Sequence, residues 1–231
     1  MILNEIIQRI QSLYSKGVQS DDTRLKSRHI YNKIVTVRSK LIEQKSDKSK
    51  SLSQWAYQTI PCVELIKAPP YECPCIPPVG CVIYRTKNKV PNILVDKKGH
   101  LIQSVTSLDG HIIFSEISWT EKQYKNGNKY TAKHPDYFFR NEYLYVTSVK
   151  PPKLIAITAL FEDPIAAMNF ASCCEGDSTD CSSPLDMDFP MEGTMIDTLV
   201  DMASQELIDK FNRNIEDLRN DSKNSSSEQT I

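Results

Sequence analysis

The sequence predicts an α+β protein. An N-terminal helical hairpin and a long C-terminal helix form a helical bundle, and an antiparallel β-sandwich or barrel is inserted between them. Three observations carry that prediction. Apolar residues recur at helical spacing at both ends of the chain. Between the ends, short runs of Val, Ile, Thr and aromatic residues are broken by turn signals at roughly ten-residue spacing. Charge is also segregated: residues 1–50 hold eleven Lys/Arg against five Asp/Glu, residues 51–153 thirteen against eight, and residues 154–231 four against sixteen. A basic start and an acidic end suit helices that pack on one another.

The elements follow in order. Over residues 1–50, Leu3, Ile6, Ile7, Ile10, Leu13 and Tyr14 line one face of a helix spanning 2–16, and Gly17 is placed to end it in a left-handed conformation. Ser20 reads as the N-cap of a second helix, with Asp21 and Asp22 in its first turn, and Leu25, Ile30, Ile34, Val37 and Leu41 carry the stripe to about Gln44. Lys45–Ser53 is polar and aperiodic, a linker. Residues 51–160 are the β-rich domain. Its hairpins are predicted around Asp96-Lys97-Lys98-Gly99, Asp109-Gly110, Asn126-Gly127 and Arg140-Asn141-Glu142, and a last strand spans Leu154–Leu160. Nine of the nineteen aromatics fall between Phe114 and Tyr145, a density that only a core or sheet face needs. Six of the thirteen prolines lie between Pro61 and Pro78, so 68–78 is neither helix nor central strand and crosses between strands in extended form. Residues 161–191 form a loop with a short helix after Asp163-Pro164. Residues 192–221 form the C-terminal helix, striped by Ile196, Leu199, Val200, Ala203, Leu207, Phe211, Ile215 and Leu218, and 222–231 are an expected disordered tail.

Composition bounds the function. With 231 residues, 40% hydrophobic and 25% charged, the chain can bury a core without staples, and wholesale disorder is excluded. No apolar run approaches the length of a membrane span, and the N-terminus lacks the form of a signal peptide, so a soluble protein made in the cytoplasm is expected. Only seven glycines are present, with neither a dinucleotide-binding nor a P-loop pattern.

Few residues invite chemistry. The seven cysteines are Cys62, Cys73, Cys75, Cys81, Cys173, Cys174 and Cys181, an odd count that argues against a full disulfide framework. Cys73-Pro74-Cys75 with Cys81 invites zinc, but the spacing is not that of a ribbon or finger; free or incidentally paired thiols are expected. His29, His100, His111 and His134 are isolated and belong to no catalytic pattern. Asp177, Asp180, Asp186 and Asp188 do not match a calcium loop and read as a solvated acidic segment. Lys122, Tyr124, Lys125, Lys129, Tyr130 and Lys133 sit on one predicted hairpin that suits a nucleic-acid backbone or, more simply, solvent. No catalytic, cofactor-binding or metal residue is assigned, and no enzyme activity is expected.

The wording of several stretches adds a resemblance. Leu3-Asn4-Glu5-Ile6-Ile7-Gln8-Arg9-Ile10, Ser20 to Arg28, Tyr71-Glu72-Cys73-Pro74-Cys75-Ile76-Pro77-Pro78-Val79-Gly80-Cys81 and Met195-Ile196-Asp197-Thr198-Leu199-Val200 are similar to a ring protein of crAss-like short-tailed phages, along all but the last ten residues. In architecture the chain also resembles the adaptor, or tail tubular, proteins of other short-tailed phages. The resemblance implies a virion structural protein in the portal-proximal neck or tail. Its partners would be further copies of itself in a ring of twelve, the portal protein, other neck or tail rings, and the DNA leaving through the bore, with no membrane partner. A ring needs a head-to-tail interface in which one patch meets a different patch of the neighbour. The acids Asp201, Glu206 and Asp209 facing the basic N-terminal helices would meet that need across subunits, or would pair with those helices within one. The alternative function is a phage DNA-associated or cargo protein that binds nucleic acid through residues 24–50 and the Lys122–Lys133 hairpin.

Overall fold

The computed structural model describes residues 1–15, 25–48, 52–69, 83–97, 99–118, 120–121, 134–148, 151–170 and 183–211. They form two compact units: residues 1–45 with the chain from Ser183 onward, and Ser46–Ser182, which is inserted between those two parts.

The first unit is helical. Helix α1 spans Leu3–Tyr14 and buries Leu3, Ile6, Ile7 and Ile10, the predicted stripe. Its start is fixed by Glu5, whose Oε2 accepts from the Ile2 N–H at 3.2 Å, an acid suited to the positive end of the helix dipole. Helix α2 spans Ser27–Asp47. Both of its ends correct the expectation. Leu25 and Lys26 are not helical, so no continuous helix runs from the first turn expected after Ser20. At the other end the helix continues three residues past Gln44 into the expected linker, through Lys45 and Ser46 to Asp47. Lys and Asp carry no helix-breaking chemistry, so the polar run does not end the helix, although the division between the two units does fall within it, between Lys45 and Ser46. The Gly17 and Ser20 caps lie outside the described residues. Helix α4, Gly193–Phe211, packs along α1, with Ile196, Leu199, Val200, Ala203 and Leu207 buried. Phe189 and Met191 are buried just ahead of it, and this segment adds to α1 through an isolated bridge between Ile2 and Asp188.

The second unit is a closed seven-stranded barrel. Its strands in chain order are β1 Gln58–Lys67, β2 Tyr84–Thr86, β5 Ile102–Ser107, β6 Ile113–Glu116, β7 Asp136–Arg140, β8 Tyr143–Thr147 and β9 Leu154–Ala159, while β3 Val95–Asp96 and β4 Gly99–His100 pair separately as a small ribbon. Around the barrel the order is β1-β2-β8-β7-β6-β5-β9 and back to β1. Closure removes the sandwich alternative. It also corrects the expectation of a wholly antiparallel sheet, because β6 and β7 pair in parallel through Ser115 with Asp136 and Glu116 with Tyr137. The two strands are separated in the chain by residues 117–135, which lie largely outside the described residues; a tight turn could not join them, since it can join only antiparallel strands.

Alternation sets the interior. On β9, Ile155, Ile157 and Ala159 are fully buried while Leu154, Ala156 and Thr158 are half-buried. Ile60, Val63, Val105, Phe114, Leu144 and Val146 join them in the main core. On the β7–β8 side the outer face is covered as well: Phe138 stacks on Tyr145 with centroids 5.1 Å apart, and both pack with Ala68, Ile83, Ile117 and Tyr143. The six of these aromatics among the described residues therefore serve two layers.

Turn chemistry holds the barrel in register. Asn141 and Glu142 both have positive φ, at 51° and 66°, the two-residue primed turn that matches strand twist. At Asp109-Gly110 only Gly110 is left-handed, with φ 72°, and its N–H donates to Ser107 O at 2.9 Å. The turn is therefore a common one centred on Leu108-Asp109 and closed by the glycine, not a primed pair on Asp-Gly. Pro61 stands inside β1, where pairing with β9 shifts register between Ile60 and Val63. The ring nitrogen has no hydrogen to give, so proline is tolerated in a strand at such a bulge, and Cys62 beside it has φ 60°. After the barrel, helix α3 spans Pro164–Met168. Asp163 Oδ1 caps it by accepting from Ile165 N at 2.9 Å and Ala166 N at 3.2 Å. The expected Asn126-Gly127 hairpin and the tail 222–231 lie outside the described residues, as do residues 212–221 of the expected C-terminal helix. No helix among the described residues is long and apolar enough to cross a membrane.

Candidate assembly surfaces

Within the helical unit the segregated charges meet. Arg9 Nη2 of α1 lies 3.0 Å from Asp197 Oδ1 of α4. From α2, Lys33 and Lys40 both pair with Glu206 of α4, and Lys45 pairs with Glu192 just ahead of it. These pairs set α2 antiparallel to α4, with the end of one beside the start of the other. Lys33 is the most enclosed of the lysines in these pairs. Burial, and then the ammonium groups of Lys210 and Lys40, hold it below the ordinary lysine range. The Glu192 carboxylate is held below its usual range first by the hydrogen bond from Lys45 and then by that from Thr194.

The acids of α4 thus divide. Glu206, and with it Glu192 and Asp197, is used inside the chain. Asp201 and Asp209 are exposed and have no ion pair among the described residues. Complementarity between basic start and acidic end is therefore at least partly intrasubunit.

Arg38 was not singled out from the sequence. Its side chain is fully buried, Nε donates to Pro190 O at 3.1 Å, and the guanidinium lies over the Phe189 ring at 5.9 Å from the centroid. Burial pushes it down to about 10, so it stays protonated at neutral pH. The signal was present: position 38 follows Ile34 by four and precedes Ile42 by four, on the apolar stripe itself.

The other singled-out residues are dispersed. His29 is exposed near the start of α2, and His134 is exposed ahead of β7. The His100 ring lies 4.9 Å from that of Phe139. The His111 N–H donates to Asp109 Oδ1 at 3.2 Å. Asp186 ends a short 3-10 turn, and Asp188 lies 3.8 Å from the N-terminal ammonium. Cys62 is disulfide-bonded. The other six cysteines, Asp177, Asp180 and the Lys122–Lys133 hairpin lie outside the described residues. Among the described residues no His, Cys, Asp or Glu side chains group as metal ligands would.

The barrel unit carries one further surface feature. A groove of about 430 Å³ opens where β5 ends and β9 begins, with Leu108, Ile112, Pro152, Leu154, Asp109 and Lys153 in its lining. Asp109 is held below the usual carboxylate range by the hydrogen bond from Ser107 Oγ and, after it, that from the His111 N–H.

What these features define is an α+β protein with charge-paired helices in one unit and an apolar groove on the barrel of the other. The family model described as phage tail ring protein 2, of the crAss ring proteins, matches residues 5–229, and the chain belongs to that family. The match covers segments of both units, and it makes the chain a structural component of the virion tail. No curated protein matches the chain.

Proposed function

We propose that the chain is the subunit of a closed homo-oligomeric ring in the portal-proximal neck or tail of a short-tailed phage. The ring joins the portal to further tail rings, and DNA leaves the capsid through its bore. A count of twelve would match the portal. In the subunit, α1 and α2 form a hairpin that completes a helical bundle with α4. The observation that carries this reading is the family match along residues 5–229, which takes in both ends of the helical unit and the barrel between them. The ion pairs support it over the DNA-associated alternative. Lys33, Lys40 and Lys45, three cations within the basic stretch 24–50, already have carboxylate partners in the chain, which leaves fewer for phosphate.

Negative-stain imaging of the purified protein, alone and mixed with the portal, tests the reading. Closed rings, free or seated on one end of the portal, are expected and give the symmetry directly. A monodisperse monomer that ignores the portal overturns it.

A further inference from the structure

Helix α2 outlasts its own apolar stripe. Its last buried residue is Ile42, yet the helix runs on to Asp47. Most helical stability in a folded protein comes from packing of an apolar face, and Glu43-Gln44-Lys45-Ser46-Asp47 offers no apolar side chain. Glu43 and Gln44 are exposed, and Lys45 and Ser46 are half-buried. Local chemistry also works against the last turn. A helix ends at the negative pole of its dipole, where an acid such as Asp47 is unfavourable and a cation is favoured. Serine is a poorer helix former than alanine, because its hydroxyl competes for nearby backbone groups.

The barrel unit supplies what this turn lacks. That unit begins at Ser46, and within it the turn between β3 and β4 meets the end of the helix. Ser46 Oγ donates to Asp96 Oδ2 at 2.5 Å. Lys97 Nζ lies 2.9 Å from Asp47 Oδ2. Asp96 Oδ1 accepts from the Lys97 N–H at 2.5 Å, so one carboxylate holds the helix with one oxygen and shapes the turn with the other. Lys97 neutralises the misplaced acid and brings a cation to the helix end that the dipole favours. The ribbon bearing this turn is itself anchored: Leu94 N donates to Leu160 O, and Leu101 N to Leu94 O, each at 2.8 Å.

We propose that the β3–β4 turn is a clamp that holds the last turn of α2 helical, and that Ser46 and Asp47 form a joint with two states. With the clamp closed, the chain enters the barrel unit as helix. With it open, these residues are coil and the connection to the barrel is no longer helical. The clamp is suited to opening, because the Lys97 side chain is 80% exposed and exposed ion pairs are weak and screened by salt. Lys45, the residue before the joint, is held separately by Glu192, so fraying stops there. The clamp uses contacts within the barrel unit alone and does not depend on the ring reading.

Residue-resolved hydrogen exchange on the full-length protein tests this through a difference in sign. If the last turn were helical by its own propensity, Ser46→Ala would slow exchange of the amides at positions 46 and 47. If the clamp holds it, the same substitution removes the hydrogen bond to Asp96 and quickens exchange there about fivefold, with the amides of Ile34, Val37 and Leu41 as in the wild type. Lys97→Met keeps the stem and removes the ammonium, and about a twofold increase is expected at the same two positions. The amides of Ile155 and Ile157 on β9 report the barrel. If Lys97→Met loosens those too, Ser46→Ala, which alters no strand, decides alone. Unchanged or slower exchange at positions 46 and 47 in Ser46→Ala, or in a Lys97→Met protein with an intact barrel, overturns the clamp.

Discussion

The two units solve the problem of holding together by different means. The barrel closes its hydrogen-bonded ladder on itself and fills the interior with Ile, Val, Leu and Phe from β1, β5, β6, β8 and β9, joined by Tyr137 of β7. The helical unit has no such closure. It buries one stripe from each helix and adds ion pairs from Arg9, Lys33, Lys40 and Lys45 to carboxylates in or just ahead of α4, together with a fully buried arginine. Apolar burial in the barrel answers to volume and hardly to salt. Charge pairing in the helices answers to salt and pH. The barrel unit also exposes single apolar side chains, among them Trp55, Val95, Leu108, Ile113 and Met168, while the helical unit pairs Arg9, Lys33, Lys40 and Lys45 within the chain.

The largest effect that this contrast predicts lies in the barrel interior. Leu144 is fully buried on β8, and Leu144→Ala leaves a cavity that a closed ladder cannot collapse to fill. A loss of about 3–4 kcal/mol is expected, read by chemical denaturation with hydrogen exchange resolved over residues 136–159. Protection there unchanged by the substitution would show that the barrel is not held by its core. Added salt should leave the loss unaltered.

The elements most open to reading from the sequence are those whose pattern is local. The α1 stripe, the alternation of β9 and the Asn141-Glu142 turn each need only neighbouring residues to specify them. What was hidden depends on distant pairing. The parallel contact of β6 with β7 is fixed by barrel closure, which no window of ten residues encodes. The polar run after Gln44 looked like a linker because polarity was its only visible property, yet helix α2 continues to Asp47. Pro61 sits in a paired strand because a bulge frees its nitrogen, and bulges are set by the partner strand. The groove was invisible for the same reason, since Leu108 and Pro152 lie far apart in the chain. Arg38 was legible in principle, as a charged residue in register with an apolar stripe, and passed unnoticed because stripes are searched for apolar residues alone.

Arg38 gives the next effect in size. Arg38→Ala removes the stem that packs in the helical unit and the donor to Pro190 O, for a loss of about 2 kcal/mol. Arg38→Met keeps most of the volume and removes only the charge and its hydrogen bonds, so its loss should be smaller, about 1 kcal/mol. Equal losses for the two would mean that Arg38 acts through its head group alone. A larger loss for Ala assigns the difference to packing. Denaturation followed by exchange in α2 and α4 separates these outcomes.

The smallest effect sharpens the comparison most, because each unit holds one carboxylate below its usual range by different chemistry. Glu192 takes its main hydrogen bond from a cation, Lys45, whereas Asp109 takes its from neutral donors, Ser107 Oγ and the His111 N–H. Both folded values are depressed. Each group therefore contributes stability that is fully present above its unfolded value, near 4.5 for Glu192 and 3.8 for Asp109, and is lost as pH falls through the lower folded value. Salt should distinguish them. Raising ionic strength from about 0.01 M to about 1 M shortens the screening length from roughly 30 Å to roughly 3 Å. The Glu192 titration, followed by carboxyl NMR, should move back toward the ordinary glutamate range, while that of Asp109 should stay in place, because an O–H or N–H donor carries no net charge to screen. Glu192→Gln should remove the salt-dependent part of the acid response of the helical unit. If Asp109 moved with salt as far as Glu192, the division between a charge-held unit and a burial-held one would not extend to these two groups.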